Sequence, residues 1–370
     1  MLKRLLCLSL ICACFPVIVN AQEKPWLLRT LKAVESYMDS SAIKGVDTRY
    51  IAIPKYPWQL MVRHNINQMS LKMHSYFSDL PDGGELFLDT HLKSNVANNV
   101  GLWIGYRGYG VGYSVGFGPK GGTYFTAGFT GNSYALNMRL RTFKATDVQA
   151  HIYGHDVAGF SEDGNPSFDK WEDVEMDAPI RVRTLIVDGY YFFNRKRFSY
   201  MAAYDQSAIQ IHSAGSIMIG AMYHSSTIRY DDNVNASFIF LMHEVGVLKI
   251  RQGSVGAGYA YNWVPGRGFL VSVQAMPMLT FYNRQKLHIY EETITDDDHS
   301  YNDKITAAGT IYKTSNMTVT FNARMSLTYN WNRLSFNVYG QWNHFRYNHD
   351  SGGRGHINDW FVNSSVGFRF

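Results

Sequence analysis

The stretch MTVTFNARMSLTYNW, Met317 to Trp331, decides the fold. Its odd positions are Met317, Val319, Phe321, Ala323, Met325, Leu327, Tyr329 and Trp331, and its even positions are Thr318, Thr320, Asn322, Arg324, Ser326, Thr328 and Asn330. Successive side chains of a strand point to opposite faces, so the segment has one apolar and one polar side. Strands of soluble domains usually run about 5–6 residues, whereas a membrane-crossing strand needs about 9–11. An unbroken alternation of this length fits a strand that crosses a bilayer and continues past it.

The pattern recurs along the chain. Tyr134, Leu136, Met138 and Leu140 oppose Asn137, Arg139 and Arg141. Val255, Ala257, Tyr259, Tyr261 and Trp263 oppose Ser254, Gly256, Gly258 and Asn262. Leu334, Phe336, Val338 and Trp342 oppose Ser335, Asn337, Gln341 and Asn343, and Trp58, Leu60 and Val62 oppose Gln59 and Arg63. Apolar stripes that end in Tyr or Trp fit the aromatic girdles of a membrane barrel. A soluble β-sandwich also alternates, but over shorter strands.

The predicted fold is therefore all-β, an antiparallel transmembrane β-barrel of about 12 strands (range 10–14) with a short N-terminal helix. Strands are expected over 58–77, 91–106, 109–118, 122–130, 133–153, 179–193, 211–227, 247–264, 268–290, 312–330, 333–348 and 357–370. Tight turns at Arg107-Gly108, Gly131-Asn132, Asn194-Arg195-Lys196, Pro265 to Gly268 and Asn332-Arg333 are assigned to the periplasmic side. Long polar segments near 78–90, 154–178, 228–246, 291–310 and 349–357 are assigned to the exterior. Phe198 to Gln210 does not fit the up-and-down count, and is either an extra short strand or a segment folded into the lumen.

Composition agrees. Charged residues make up 18% of the 370 and aromatics 15%, with 32 Gly and 10 Pro; a typical soluble chain is about 25% charged. Beyond the N-terminus no run approaches the roughly 18 apolar residues of a membrane helix, which excludes a multi-span helical protein. The aromatic content argues against disorder.

Residues 1–21 read as a signal peptide, with Lys3 and Arg4, an apolar run from Leu5 to Val19, and cleavage after Ala21. Its loss lowers the formal net charge of +5 by two and removes Cys7, Cys12 and Cys14, all the cysteines of the chain. Disulfides and thiolate chemistry are thereby excluded from the mature chain, and no charge excess favours nucleic acid. Residues 22–57 are expected to form a periplasmic helix and linker, and 58–370 the barrel. Leu27, Leu31, Val34 and Met38 make a helical stripe, which either caps the periplasmic mouth (the favoured reading) or lies on the inner leaflet. The chain ends with Phe368 and Phe370 on an apolar face, which resembles the C-terminal insertion signature of outer-membrane barrels.

Several constellations are candidates for chemistry. Arg63, Arg139, Arg141, Arg181, Arg183 and Arg324 are expected to line the lumen. They either pair with carboxylates and hydroxyls to close a small pore or form a ladder selecting anions. The acidic segments 154–178 and 291–303 are expected to be solvated loops, since no spacing in them matches a calcium loop. His224 and Ser226 lie two apart, on one face of a strand, as a base and its nucleophile require. This His-x-Ser pair resembles that of outer-membrane phospholipases, with Asn233 or Asn235 as the candidate orienting group. No metal site, cofactor or catalytic residue is assigned otherwise. Gly108 to Gly118 is glycine-rich strand rather than a phosphate cradle.

Phe198 to Tyr204 followed by Gln206, Gln210 and Ser213 to Ser216, Val46 to Tyr50 ahead of Trp58, and Gly258 to Asn262 resemble a Bacteroidota-type family of exported barrel proteins classed as a domain of unknown function. The resemblance implies a barrel over most of the mature chain and marks 198–216 as a family feature. The expected function is a non-enzymatic outer-membrane barrel, structural or a narrow solute pore with an arginine-lined lumen. The alternatives are a lipid hydrolase using His224 and Ser226, or a scaffold binding partners through its acidic loops. Expected partners are outer-membrane lipids and lipopolysaccharide, the barrel insertion machinery and periplasmic chaperones, with no nucleic acid.

Overall fold

Alternation closes the sheet on itself. The computed structural model describes residues 25–77, 84–117, 122–157, 167–174, 178–229, 245–293, 304–314, 316–348 and 354–370. The expected signal peptide and its cysteines lie outside the described residues. The elements are α1 (Pro25–Ile43), β1 (Ile51–Ala52), β2 (Trp58–Phe77), β3 (Glu85–Ser94), β4 (Ala97–Tyr106), β5 (Tyr109–Gly116), β6 (Thr123–Thr130), β7 (Tyr134–His155), β8 (Ser167–Val174) and β9 (Ile180–Phe192). They continue with α2 (Tyr200–Tyr204), β10 (Ile209–Gln210), β11 (Ala214–Arg229), β12 (Val245–Trp263), β13 (Phe269–Thr293), β14 (Lys304–Thr314), β15 (Thr318–Trp331), β16 (Leu334–Asn348) and β17 (Arg354–Arg369).

Antiparallel pairing runs β2-β4-β5-β6-β7-β9-β11-β12-β13-β15-β16-β17 and returns to β2, a closed ring of twelve. The last residue completes the closure, since Trp58 and Phe370 exchange backbone hydrogen bonds of 3.2 and 3.0 Å. Phe368 and Phe370 both face outward. Every strand expected from the sequence is present. Three segments expected to be largely loop carry strand extensions instead: β3 continues the line of β4 along β2, β8 that of β9 along β7, and β14 that of β15 along β13. The hairpin β5–β6 is short, and beyond its tip β3 pairs directly with β7. The remaining parts of the expected loops lie mostly outside the described residues.

The tight turns and both ends of the barrel chain share one rim. At Arg107-Gly108 both residues have positive φ, 49° and 91°, the geometry of a two-residue hairpin turn matched to strand twist.

The wall has two halves of opposite sense. In the half next to the tight turns, Leu60, Val62, Leu102, Ile217, Val255, Val273, Leu327 and Val338 point outward and are 43–63% exposed. Gln59, Asn65, Asn67, Ser272, Gln274, Asn322 and Thr328 point inward and are buried. An apolar belt of this extent around a closed ring is built for lipid, because strand pairing round the ring satisfies the backbone and the outward side chains are mostly apolar, with His64 and Ser364 a polar pair within it. Toward the long-loop rim the sense reverses. Leu71, Phe143, Ile180, Val182, Ile228, Leu248, Ile250, Phe345 and Ile357 turn inward into one apolar cluster. Lys72, Lys144, Arg183, Arg251, Arg284 and Arg346 turn outward. That half is built like a soluble barrel, each buried Leu or Ile contributing about 1.5–3 kcal/mol.

Two segments pack at the tight-turn end. The 193–213 connection turns into the lumen, where α2 is wholly buried, and its β10 pairs with β1 of the N-terminal linker. Both sequence alternatives for Phe198 to Gln210 are thus partly realised. Helix α1 does not cap the mouth, as the favoured reading had it. Its C-terminal turns lie on the outside of the rim: Ser41 Oγ is 2.8 Å from the Tyr109 hydroxyl, Asp39 accepts from Arg107 Nε at 2.8 Å, and Tyr106 donates to Asp39 at 3.1 Å. Those tyrosines lie on the outward faces of β4 and β5, and their hydroxyls draw the helix to the outer wall. Trp26, Val34 and Tyr37 remain exposed. Among the described residues no helix is long and apolar enough to cross a membrane.

Candidate functional site

The polar lumen of the belt half is organised around one carboxylate. Strand β9 turns its even residues inward, and Asp188 falls beside Asn137 of β7 in the ladder. Asp188 is fully buried and accepts from Asn137 Nδ2 at 2.9 Å, from Arg324 Nη2 at 2.5 Å and from Arg139. Two guanidiniums on one carboxylate supply the charge-assisted bonds that make a buried ion tolerable. Arg324 also donates to the Tyr200 hydroxyl of α2 and lies 4.8 Å from the centroid of the Tyr190 ring.

These contacts cross the barrel. Arg139 on β7 donates to Gln341 on β16, which is six places round a ring of twelve and so on the opposite wall. Arg141 on β7 pairs with Asp359 on β17, and Tyr190 on β9 donates to Asn322 on β15 at 3.1 Å. Arg63 lies over the Trp103 ring, 4.6 Å from its centroid, with its Nη2 3.4 Å from Met61 Sδ. A cavity of about 50 Å³ among Arg63, Arg139, Tyr200, Tyr204, Asp205 and Arg324 has room for a few waters.

Four of the six expected lumen arginines, Arg63, Arg139, Arg141 and Arg324, do point inward. Arg181 and Arg183 do not. They pair with Lys144 and Thr142 of β7 and lie on the outer face, while Ile180, Val182 and Thr184 are buried. The reason is the reversal of sense: at this height the interior is apolar, so the charged parity of β9 faces out.

The insert seals the tight-turn end through its backbone. Ala203 O accepts from Asn337 Nδ2 at 3.0 Å and Thr328 Oγ1 at 3.3 Å, and Gln206 O accepts from Arg369 Nη2 at 2.7 Å. Ser199 O accepts from Asn262 Nδ2 at 2.9 Å. Asp205 is held by Ser207, whose backbone N–H donates at 3.0 Å. Burial pushes its carboxyl up to about 6 against those hydrogen bonds.

His224 and Ser226 realise the spacing read from the sequence. Nε2 lies 2.8 Å from Ser226 Oγ, and Nδ1 lies 3.1 Å from Gln252 Oε1. The orienting partner is thus Gln252 on β12; Asn233 and Asn235 lie outside the described residues. The pair faces the lumen, both residues are at most 1% exposed, and the Phe345 ring stacks on the imidazole with centroids 3.9 Å apart. Ser226 also shares a 3.1 Å hydrogen bond with Thr184. The cluster is a satisfied buried network with no opening to lipid. His151 stacks on Trp171 and meets Asp169 at 2.8 Å, while His155 meets Ser167 at 3.0 Å. Among the described residues no group of three or more His, Cys, Asp or Glu is placed to hold a metal ion.

Sequence reasoning missed Asp188, Asp359, Tyr200, Arg369 and Gln252. Asp188 did leave a signal: it is an acidic residue at an inward position of a strand whose neighbour in sequence order carries two inward arginines.

These features define a class: a twelve-stranded transmembrane β-barrel with a braced lumen and a folded-in plug. The chain belongs to the family described as a domain of unknown function (DUF4421), whose profile matches residues 45–370. Nothing matches among curated proteins. Among solved structures, the outer membrane protease OmpT from Escherichia coli aligns at 9% identity and TM-score 0.36, covering 86% of this chain and 97% of that one. The translocator domain of the autotransporter NalP from Neisseria meningitidis aligns at 10% and 0.31, covering 95% and 97%. The β domain of the Bordetella autotransporter BrkA aligns at 10% and 0.30, covering 85% and 100%.

Proposed function

We propose that the chain is exported through residues 1–21 to the outer membrane of a Bacteroidota-type cell, and serves there as a closed structural barrel rather than an open solute pore. The observation that carries the reading is the Asp188 brace, in which Arg139, Arg324 and Tyr200 tie β7, β15 and the insert to one buried carboxylate. Arginines engaged in this way are not available as a ladder for passing anions. The aromatic rim at Trp58, Tyr191, Trp263, Trp331 and Phe368 supports seating in a bilayer. Insertion machinery and periplasmic chaperones are the partners such a route implies.

Planar-bilayer recording tests the closure. The intact barrel is expected to show no steady conductance, and a variant lacking 199–208 is expected to conduct. Steady conductance from the intact protein would overturn the reading. We also read the barrel as non-enzymatic, because His224 and Ser226 are enclosed; Ser226→Ala is expected to leave envelope lipid turnover unchanged.

A further inference from the structure

Past the apolar belt, the outer wall formed by β9, β11, β12 and β13 carries a concentrated block of positive charge. Arg183, Thr227, Lys249 and Lys286 form one row across these strands. The next row toward the belt holds Leu185, Ser225, Arg251 and Arg284. One row further come Val187, Tyr223, Gly253 and Tyr282, and then the lipid-facing Val255 and Leu279. Lys249 faces Lys286 directly, and Arg251 faces Arg284. Like charges opposed across a ladder destabilise it. Among the described residues none of these five cations forms an ion pair with a carboxylate. Two are propped on rings: Arg284 lies 5.4 Å from the Tyr282 centroid and Lys286 5.6 Å from that of Tyr312.

The tight-turn rim offers nothing comparable on its outward strand positions. There the wall ends in Tyr191, Phe193, Tyr261, Trp263, Phe269 and Trp331. A barrel so divided distinguishes the two leaflets, with aromatic rings at one interface and concentrated cations at the other. Cations placed directly beyond a hydrocarbon-facing belt lie at the depth of lipid headgroups.

We propose that Arg183, Lys249, Arg251, Arg284 and Lys286 form a docking site for the phosphate groups of a multiply phosphorylated glycolipid of the outer leaflet. Neighbouring strands are about 4.8 Å apart and alternate residues on one face about 6.6 Å, so the five cations cover a field wider than one phosphate. A singly charged phosphodiester headgroup would leave the opposed pairs largely uncompensated, whereas a headgroup with two phosphates spans both rows. The proposal rests on the membrane reading given above.

The test is insertion of the full mature chain into phosphatidylcholine vesicles doped with bisphosphorylated lipid A, its dephosphorylated form or phosphatidylglycerol. Insertion is followed by heat-modifiable electrophoretic mobility, and lipid retention by native mass spectrometry. Bisphosphorylated lipid A is expected to be retained about tenfold over the dephosphorylated form, the scale of one charge-assisted contact. The quadruple variant K249Q/R251Q/R284Q/K286Q is expected to lose that preference. R251Q and R284Q singly are each expected to reduce it about threefold, which provides the test if the quadruple variant does not insert. R267Q, at the opposite rim, is expected to keep it. Equal retention of the dephosphorylated lipid or of phosphatidylglycerol, or unchanged retention by the variants, would overturn the site. Failure to insert into any vesicle would instead overturn the membrane reading.

Discussion

One ring of strands serves two solvents. Strand β9 shows this within a single element: Leu185 and Val187 point out while Asp188 points in, but a few residues along the same strand Arg181 and Arg183 point out while Ile180 and Val182 point in. Backbone pairing and side-chain period are the same in both halves; only the sense of the alternation changes. The period thus reports that a strand exists, and the sense reports what surrounds it. The halves are also held differently. The belt half is braced by charged and hydrogen-bonded contacts across the lumen together with the apolar side chains of the insert, and the outer half mainly by apolar packing, interrupted by the His224–Ser226 network.

That contrast breaks first at its most concentrated point. Asp188→Ala leaves Arg139 and Arg324 buried without their shared anion, a loss of about 3–5 kcal/mol for such a pair. Urea unfolding of the inserted barrel is expected to show it, together with conductance where the intact protein has none. The apolar packing of the outer half should respond next. Ile250 is 0% exposed, and Ile250→Ala is expected to cost about 2–5 kcal/mol through lost transfer energy and the cavity left behind. The outward neighbour Arg251→Ala, measured in neutral lipid, is expected to stay within about 0.5 kcal/mol.

The lipid boundary is sharpened by placing the same residue on either side of it. Leu327 is 49% exposed on the belt and Tyr312 is 73% exposed on the outer half. Leu327→Arg is expected to cost about 2–4 kcal/mol, as a cation in hydrocarbon does, and Tyr312→Arg about 0–1 kcal/mol. Equal costs would mean that the belt does not end where the side chains change character.

Strand positions were legible because alternation and turn chemistry act within a few residues. Arg63, Arg139, Arg141 and Arg324 were placed correctly because each lies in an alternating run whose apolar parity faces lipid. Arg181 and Arg183 were misplaced because the rule linking polar residues to the lumen holds only in hydrocarbon. The brace was hidden for another reason: Asp188 meets Arg324, and Arg141 meets Asp359, across a lumen whose width and register no local pattern encodes. The insert was recognised as irregular, but Phe198 to Tyr204 has no period from which its fold into the barrel could be read. Helix α1 was found from its stripe, whereas its seat on the outer rim depends on the hydroxyls of Tyr106 and Tyr109.

The insert gives the finest test, because it joins a polar lumen to an apolar plug. Burial holds the Asp205 carboxyl at about 6, above the roughly 3.9 of an unfolded Asp. A raised carboxyl binds its proton more tightly in the folded state. The protonated form therefore supports the insert fully below about pH 4, and that support is lost as pH rises through about 6. Hydrogen-exchange protection factors, each taken relative to the intrinsic exchange rate at the same pH, are expected to be larger over 199–208 at pH 5 than at pH 7.5, with those of the strand ladders unchanged. Asp205→Asn, which cannot ionise, is expected to give the same protection factors over 199–208 at both pH values. If the wild-type insert were equally protected at pH 5 and 7.5, the carboxyl would be compensated by water or by Arg63, and the plug would be held by its backbone contacts to Asn337 and Arg369 alone.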